Sequence, residues 1–184
     1  MKNPQSLVAL GISLVFQVVE TTGLDPSLLY EMALELKRLY AGEEINKILT
    51  IEASGIAMAS LVGFVFGCPL VFAKKSKSRN ISDDVYSVEV ESFTHGNTNT
   101  VVVSREYLNP GDRILIIDDF LATGAALVGL KALAEQAGAT VVGAGIAIEK
   151  AFQGGGDLLR SQGLRIESLA KIASMGDDGS IRFC

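Results

Sequence analysis

The sequence predicts an α/β fold: a mainly parallel sheet with helices on both faces. Three observations carry this. Short apolar runs alternate with segments of helical periodicity, the pattern of strands buried on both sides between crossover helices. Turn residues punctuate the junctions, at Gly42, Gly67-Cys68-Pro69, Asn109-Pro110-Gly111-Asp112, Gly138 and Gly163. One pair of β-type runs breaks the alternation and reads as a hairpin at an edge of the sheet or over a mouth. The 184 residues suit a single domain, since about 150 residues per domain is typical.

Each element follows in order. Asp25-Pro26 joins an N-cap to a proline at the first helical position. Leu28, Leu29, Met32, Leu36 and Leu39 then recur at helical spacing until Gly42 ends the helix. Ile45–Ile51 reads as a buried strand. Ile56–Ala73, with Lys74, Lys75 and Lys77 behind it, mimics a membrane span with a basic flank. Gly63, Gly67 and Pro69 divide it, so a helix Gly55–Phe66 and a strand Leu70–Ala73 are expected. Leu7–Val19 is also apolar but too short to cross a bilayer. Glu20-Thr21-Thr22-Gly23 follows it where a signal peptide would have a small-residue cleavage site, so it reads as a buried N-terminal element. Val85–Phe93 and Thr100–Ser104 form the hairpin. Arg113–Ile117 is a short strand bounded by Asp118-Asp119. Ala125–Ala137 is helical and capped by Gly138, and Val141–Ile148 is a buried strand. Asp157–Gln162 is helical after the glycine-rich turn Gln153-Gly154-Gly155-Gly156-Asp157, which reads as a connector with a phosphate role as the alternative, and Leu164–Leu169 is the last strand. The expected organisation is one domain over residues 1–184, with an atypical segment over about residues 1–24.

Composition excludes several functions. Sixteen Lys or Arg against 21 Asp or Glu give a net charge of −5, which disfavours a surface built to hold nucleic acid. Cys68 and Cys184 lie too far apart to suggest a disulfide framework or zinc spacing. The only histidine, His95, sits in the polar hairpin turn, so a histidine-dependent triad is not expected. No P-loop motif occurs. Gly143-Ala144-Gly145 lies within a strand and lacks the third glycine of a dinucleotide site.

In open parallel sheets ligands bind beyond the carboxyl ends of the strands. There the most informative segment runs from Ile114 to Gly124. A hydrophobic strand delivers Asp118 and Asp119, then a loop of small residues leads into a helix. Backbone N–H groups of Ala122, Thr123, Gly124, Ala125 and Ala126 can converge on an anion at that helix start, and the Thr123 hydroxyl can add a donor. The two carboxylates would repel a bare phosphate but can accept from sugar hydroxyls. A ribose 5-phosphate has that layout. The plainer alternative is a solvated acidic turn before an ordinary helix cap.

The Asp118-to-Gly124 segment resembles the phosphoribosyl pyrophosphate (PRPP) signature of type I phosphoribosyltransferases. Lys47–Ala57, Val71–Ser78, Ile148–Gln153 and Ile166–Ala170, in that order, resemble more narrowly the bacterial xanthine-specific members. The resemblance spans about Asp25 to Leu169. It implies the type I phosphoribosyltransferase fold, with a hood over the active site. It implies transfer from PRPP to xanthine, with Mg²⁺ carried by the substrate rather than held in a protein cage. Asp118 and Asp119 would face the ribose and stabilise charge at the anomeric carbon, and residues 122–126 would hold the 5′-phosphate. Glu52, Ser54 and Gly55 match the pyrophosphate loop, although Ser54-Gly55 also reads as an ordinary N-cap and turn. Lys74 and Lys77 belong to a basic run at the base of the hood, which read alone is a solvated face. Lys150 would contact the purine oxygen, favouring a 6-oxopurine because an ammonium only donates. Phe152 would stack on the base, with core packing the alternative. The remaining base contacts fall on Leu14 and Thr21, the latter where the family has an asparagine. A cytoplasmic homodimer is implied, with no nucleic-acid or membrane partner. Two other readings stay open: transfer to another purine, and a PRPP-responsive regulator. The regulator would need a DNA-binding module, for which a first helix near Asp25 leaves no room.

Overall fold

The computed structural model describes residues 23–75, 84–91, 98–176 and 180–184. The Leu7–Val19 run, Leu14, Thr21, Lys77 and the His95 turn lie outside the described residues.

Helix α1 (Pro26–Leu39) begins where the sequence expects, with the Asp25 carboxylate accepting from the Ser27 N–H at 2.8 Å. Its buried positions are Leu28, Leu29, Met32, Ala33 and Leu36. Strand β1 (Lys47–Ile51) is buried throughout. Helix α2 (Gly55–Phe66) ends on Gly67, whose φ of 74° is the left-handed conformation of a glycine C-cap, and β2 (Leu70–Ala73) follows. The long apolar run is therefore a 12-residue helix and a four-residue strand. Among the described residues no helix is long and apolar enough to cross a membrane.

Strands β3 (Val85–Glu91) and β4 (Thr98–Ser104) pair antiparallel as the expected hairpin. Next come β5 (Arg113–Leu121), α3 (Ala125–Gln136), β6 (Thr140–Lys150), a 3₁₀ turn at Ala151–Gln153, α4 (Gly155–Ser161), β7 (Ile166–Met175) and β8 (Ile181–Phe183). The main sheet has the order β2-β1-β5-β6-β7-β8, parallel except for β8 against β7. Residues of β5 alternate between two cores. Ile114 and Ile116 meet Leu127, Leu130 and Leu133 of α3 and the hairpin, while Leu115 and Ile117 meet α1 and α2. Helices thus cover both faces, as predicted.

Gly143-Ala144-Gly145, which offers no dinucleotide site, serves this packing. The Tyr40 hydroxyl donates to the Ala144 carbonyl at 2.9 Å. A Cβ at Gly143 would fall 2.5 Å from that hydroxyl, and one at Gly145 would fall 2.9 Å from Leu36. The two glycines let α1 lie close on β6.

Three differences in boundary bear on the site or its supports. β5 does not stop at Ile117 but carries Asp118 and Asp119 within it, because β6 runs on beside it, with Asp118 opposite Ile146 and Leu121 opposite Glu149. The last parallel strand extends from Ile166 to Met175 rather than Leu164–Leu169, because its second half gains β8, a short strand the sequence reading omitted. Helix α4 begins at Gly155 rather than Asp157, so two of the connector glycines are helical.

Strand order reverses between β1 and β5. β1 leads outward to β2, while β5 leads the other way to β6 and β7. Such a switch point opens a crevice, because the connections leave the two strands in opposite directions. The loops ending β1 and β5 meet there.

Candidate functional site

β1 pairs with β5 only from Lys47↔Ile114 to Leu49↔Ile116. The end of β5 therefore keeps a partner on its β6 side and opens toward a cleft on the other. The cleft holds about 330 Å³. Glu52 and Ser54 line it from the β1 loop, Asp118 to Ala126 from the end of β5, the loop after it and the start of α3, and Val90 and Asn99 from the hairpin. The hairpin thus sits over the mouth, one of the two positions the sequence allows. Asp118, Asp119, Ala122, Thr123, Gly124, Ala125, Ala126, Glu52 and Ser54, all expected at the site, share this one cleft.

The carboxylates differ in setting. Asp118 is only 4% exposed, and its Oδ1 accepts the Asp119 N–H at 3.1 Å. Burial pushes the Asp118 carboxyl well above the usual carboxylate range, the neighbouring Asp119 adds to this, and Lys75 opposes it. Asp119 is half-buried and its Oδ1 accepts the Phe120 N–H at 3.0 Å. It lies at the open side of the cleft, beside the buried Asp118 carboxyl.

At the loop's far end Gly124 adopts φ 91°, a left-handed conformation that a side chain would strain. Gly124 has no side chain with which to cap α3, so the first-turn N–H groups of Ala125 and Ala126 remain for an anion. The ordinary helix cap, the plainer alternative, is not what forms. Ser54 also makes no cap bond to α2: its torsions, −65° and −37°, are already helical, and its exposed side chain lines the cleft.

Glu52 lines the cleft and also makes a protein contact. Its Oε1 accepts the Lys75 N–H at 2.7 Å, tying the end of β1 to the end of β2. Gly55 is buried and does not line the cleft. A Cβ there would lie 2.4 Å from the Thr50 hydroxyl and 3.6 Å from Asp118 Oδ1, so this glycine lets α2 start against the acidic strand end. The Thr50 Oγ1 it approaches is buried and makes no hydrogen bond.

Lys74 requires a correction. Its backbone exchanges two 2.9 Å hydrogen bonds with Val102 of the hairpin. Its side chain lines a separate depression with Phe72, Val102 and Tyr107. Alternate strand positions face opposite ways, and it is Lys75, not singled out from sequence, that lines the cleft. Nothing in a run of lysines marks which one turns inward.

Lys150 ends β6 beside the cleft, its ammonium 5.2 Å from the centre of the Phe120 ring. That is cation–π range. Phe120 itself lines the cleft and was missed from sequence, although an aromatic directly after the acidic pair is a usable signal. Phe152 is 48% exposed on the 3₁₀ turn, so its core-packing alternative does not hold.

Residues 28–156 match the phosphoribosyl transferase domain. The chain belongs to the phosphoribosyl transferase domain family. Within it, the chain is 52% identical over 161 residues to a xanthine phosphoribosyltransferase of Lachnoclostridium phytofermentans, covering 87% of this chain and 83% of that one. The identity is also 52% to the xanthine phosphoribosyltransferase of Clostridioides difficile, with 87% and 84% covered. Among solved structures, an adenine phosphoribosyltransferase from Thermoanaerobacter pseudethanolicus superposes with a TM-score of 0.71 at 25% identity, over 80% of this chain and 82% of that one. One from Rhodothermus marinus reaches 0.74 at 21% identity, over 89% and 99%, and shares the fold. The family assignment agrees with the fold expected from sequence.

Two predictions follow from the geometry. Asp118→Asn removes a carboxyl whose pKa is raised on folding. A raised carboxyl costs stability in full above its folded pKa and nothing below its unfolded one. The variant should therefore melt above wild type at alkaline pH, with the gain shrinking as pH falls below the raised pKa and vanishing in the ordinary carboxylate range; a pH-independent difference in thermal melts would refute this. For binding of inorganic pyrophosphate, Lys75→Ala should weaken affinity about fivefold while Lys74→Ala leaves it nearly unchanged. The reverse order in titration calorimetry would contradict the assignment.

Proposed function

We propose that the protein transfers the 5-phosphoribosyl group of PRPP to xanthine, giving xanthosine 5′-monophosphate and pyrophosphate. The observation that carries this is the cleft itself: two adjacent carboxylates and an uncapped helix start, set one loop apart. The 52% identity to curated xanthine phosphoribosyltransferases supports xanthine as the acceptor.

In this reading the N–H groups of residues 122–126 hold the 5′-phosphate and the sugar lies back along the loop toward Asp118 and Asp119. The bond from the anomeric carbon to the pyrophosphate oxygen breaks ahead of the bond that a ring nitrogen of the base forms there, and the nitrogen's proton passes to solvent or to the departing pyrophosphate. Positive charge develops on the sugar between the two events. Fixed carboxylates beside that carbon stabilise it, because they are already oriented when the charge appears. Asp119 is the better placed to do so, being nearer the open cleft than buried Asp118.

Lys75 and the β1–α2 loop with Ser54 face the departing pyrophosphate. Mg²⁺ arriving with PRPP would neutralise that leaving group. The Asp119 carboxylate is the donor here that suits it, since Mg²⁺ prefers oxygen and keeps few protein ligands when phosphates are present. Phe120 offers the base a stacking face, and Lys150 above its ring donates to a purine oxygen. An ammonium cannot accept from an exocyclic amine, so this side of the site rewards an oxo group. The hairpin over the cleft would keep water from the reactive sugar.

Purified protein with PRPP, Mg²⁺ and one base at a time tests this. Pyrophosphate release should be fastest with xanthine and absent with adenine. No release with any base would reject the reading, and adenine as the preferred substrate would reject the role of Lys150. Asp119→Asn should lower kcat about 100-fold with little change in the KM for the base.

A further inference from the structure

The glycine tract that the sequence offers as a connector is where α4 touches the phosphate loop. A Cβ at Gly155 would fall 2.3 Å from the Ala122 carbonyl oxygen and 2.3 Å from the Thr123 carbonyl carbon. Gly155 is therefore in direct contact with the loop backbone. From the other side, a Cβ at Gly124 would lie 2.8 Å from Leu159 Cδ1, a buried side chain of the same helix. The loop is seated on α4.

Helix α4 has seven residues and no side-chain N-cap. A helix that short does not hold its position through its own hydrogen bonds. What holds it is Arg160, in its last turn. The guanidinium donates to Glu149 Oε1 at 2.7 Å and to Oε2 at 2.6 Å, and reaches the Ile166 carbonyl at 3.3 Å. Glu149 is 1% exposed, and the Ser168 hydroxyl also donates to it. A bidentate pair of this kind fixes orientation as well as distance. Gly156 makes room for it, because a Cβ there would sit 2.0 Å from Glu149 Oε1. In the sheet, Glu149 lies opposite Leu121, the residue that leads into the loop.

We infer that Glu149 and Arg160 are positioning residues for the phosphate loop: they fix α4, and α4, through Gly155 and Leu159, sets the path of Ala122 to Gly124. Neither residue lines the cleft. They act by holding the loop's N–H groups in place before the ligand arrives, so that binding does not pay to order them. The inference rests on the reading of this loop as the 5′-phosphate site.

The test separates positioning from general stability by using two ligands. Ribose 5-phosphate needs the loop seated on α4, whereas pyrophosphate binds on the β1 side of the cleft. In the double variant Glu149→Gln/Arg160→Met both charges go together, which avoids stranding one buried charge without its partner. Gly155→Ala is a second, independent variant that pushes the loop directly. By titration calorimetry, at a temperature where circular dichroism shows each variant folded, both should bind ribose 5-phosphate about tenfold more weakly or worse. Pyrophosphate affinity should stay within about twofold of wild type. Arg160→Lys, which keeps the charge but loses the fork, should fall between. Unchanged ribose 5-phosphate affinity in the folded variants would overturn the inference, and so would a parallel loss of both ligands. Wild-type protein that fails to bind ribose 5-phosphate would instead overturn the proposed function beneath it.

Discussion

The site depends on one mismatch in strand pairing. β5 stays hydrogen-bonded to β6 as far as Leu121 and Glu149, but β1 accompanies it only as far as Ile116. Past that point β5 is held by β6 on one side and has no strand partner on the other. Asp118 and Asp119 occupy that stretch, so their backbone has the precision of a sheet while the cleft opens beside them. The burial that raises the Asp118 pKa comes with the start of α2, which Gly55 brings close to its carboxyl. The loop that follows must turn at once into α3, which places small residues and a left-handed Gly124 where N–H groups converge.

The electrostatics need no basic surface. The chain carries a net charge of −5, and acidic side chains stand at the centre of the site. In the proposed function, backbone N–H groups at the start of α3 and Lys75 beside the β1 loop supply the attraction for phosphate locally. Glu52 fixes the Lys75 backbone at the edge of the cleft. An acidic protein can therefore hold a polyanion when fixed dipoles, rather than net charge, form the cradle.

Local patterns were readable where local physics decides. Asp25-Pro26, the helix Gly55–Phe66 and the strand Leu70–Ala73 have the boundaries that capping and turn chemistry dictate. The acidic pair and the phosphate loop were readable because a strand, two carboxylates, small residues and a helix occur in succession. What escaped depends on neighbours far along the chain. The end of β5 is set by β6, and carboxylates that read as a terminator lie inside the strand. Lys74 turns away because its backbone pairs with Val102 of the hairpin. Gly155 and Gly156 read as a flexible connector, whereas the Thr123 backbone and the Glu149 side chain occupy the space a Cβ would need. β8 is three residues long and forms only against β7.

A crystal structure of the protein with ribose 5-phosphate tests the central claim most directly. The account predicts the phosphate within about 3 Å of the N–H groups of residues 122–126, with the ribose hydroxyls on the Asp118 and Asp119 carboxylates. A phosphate seated in the depression beside Lys74, or a sugar that leaves both aspartates untouched, would contradict it.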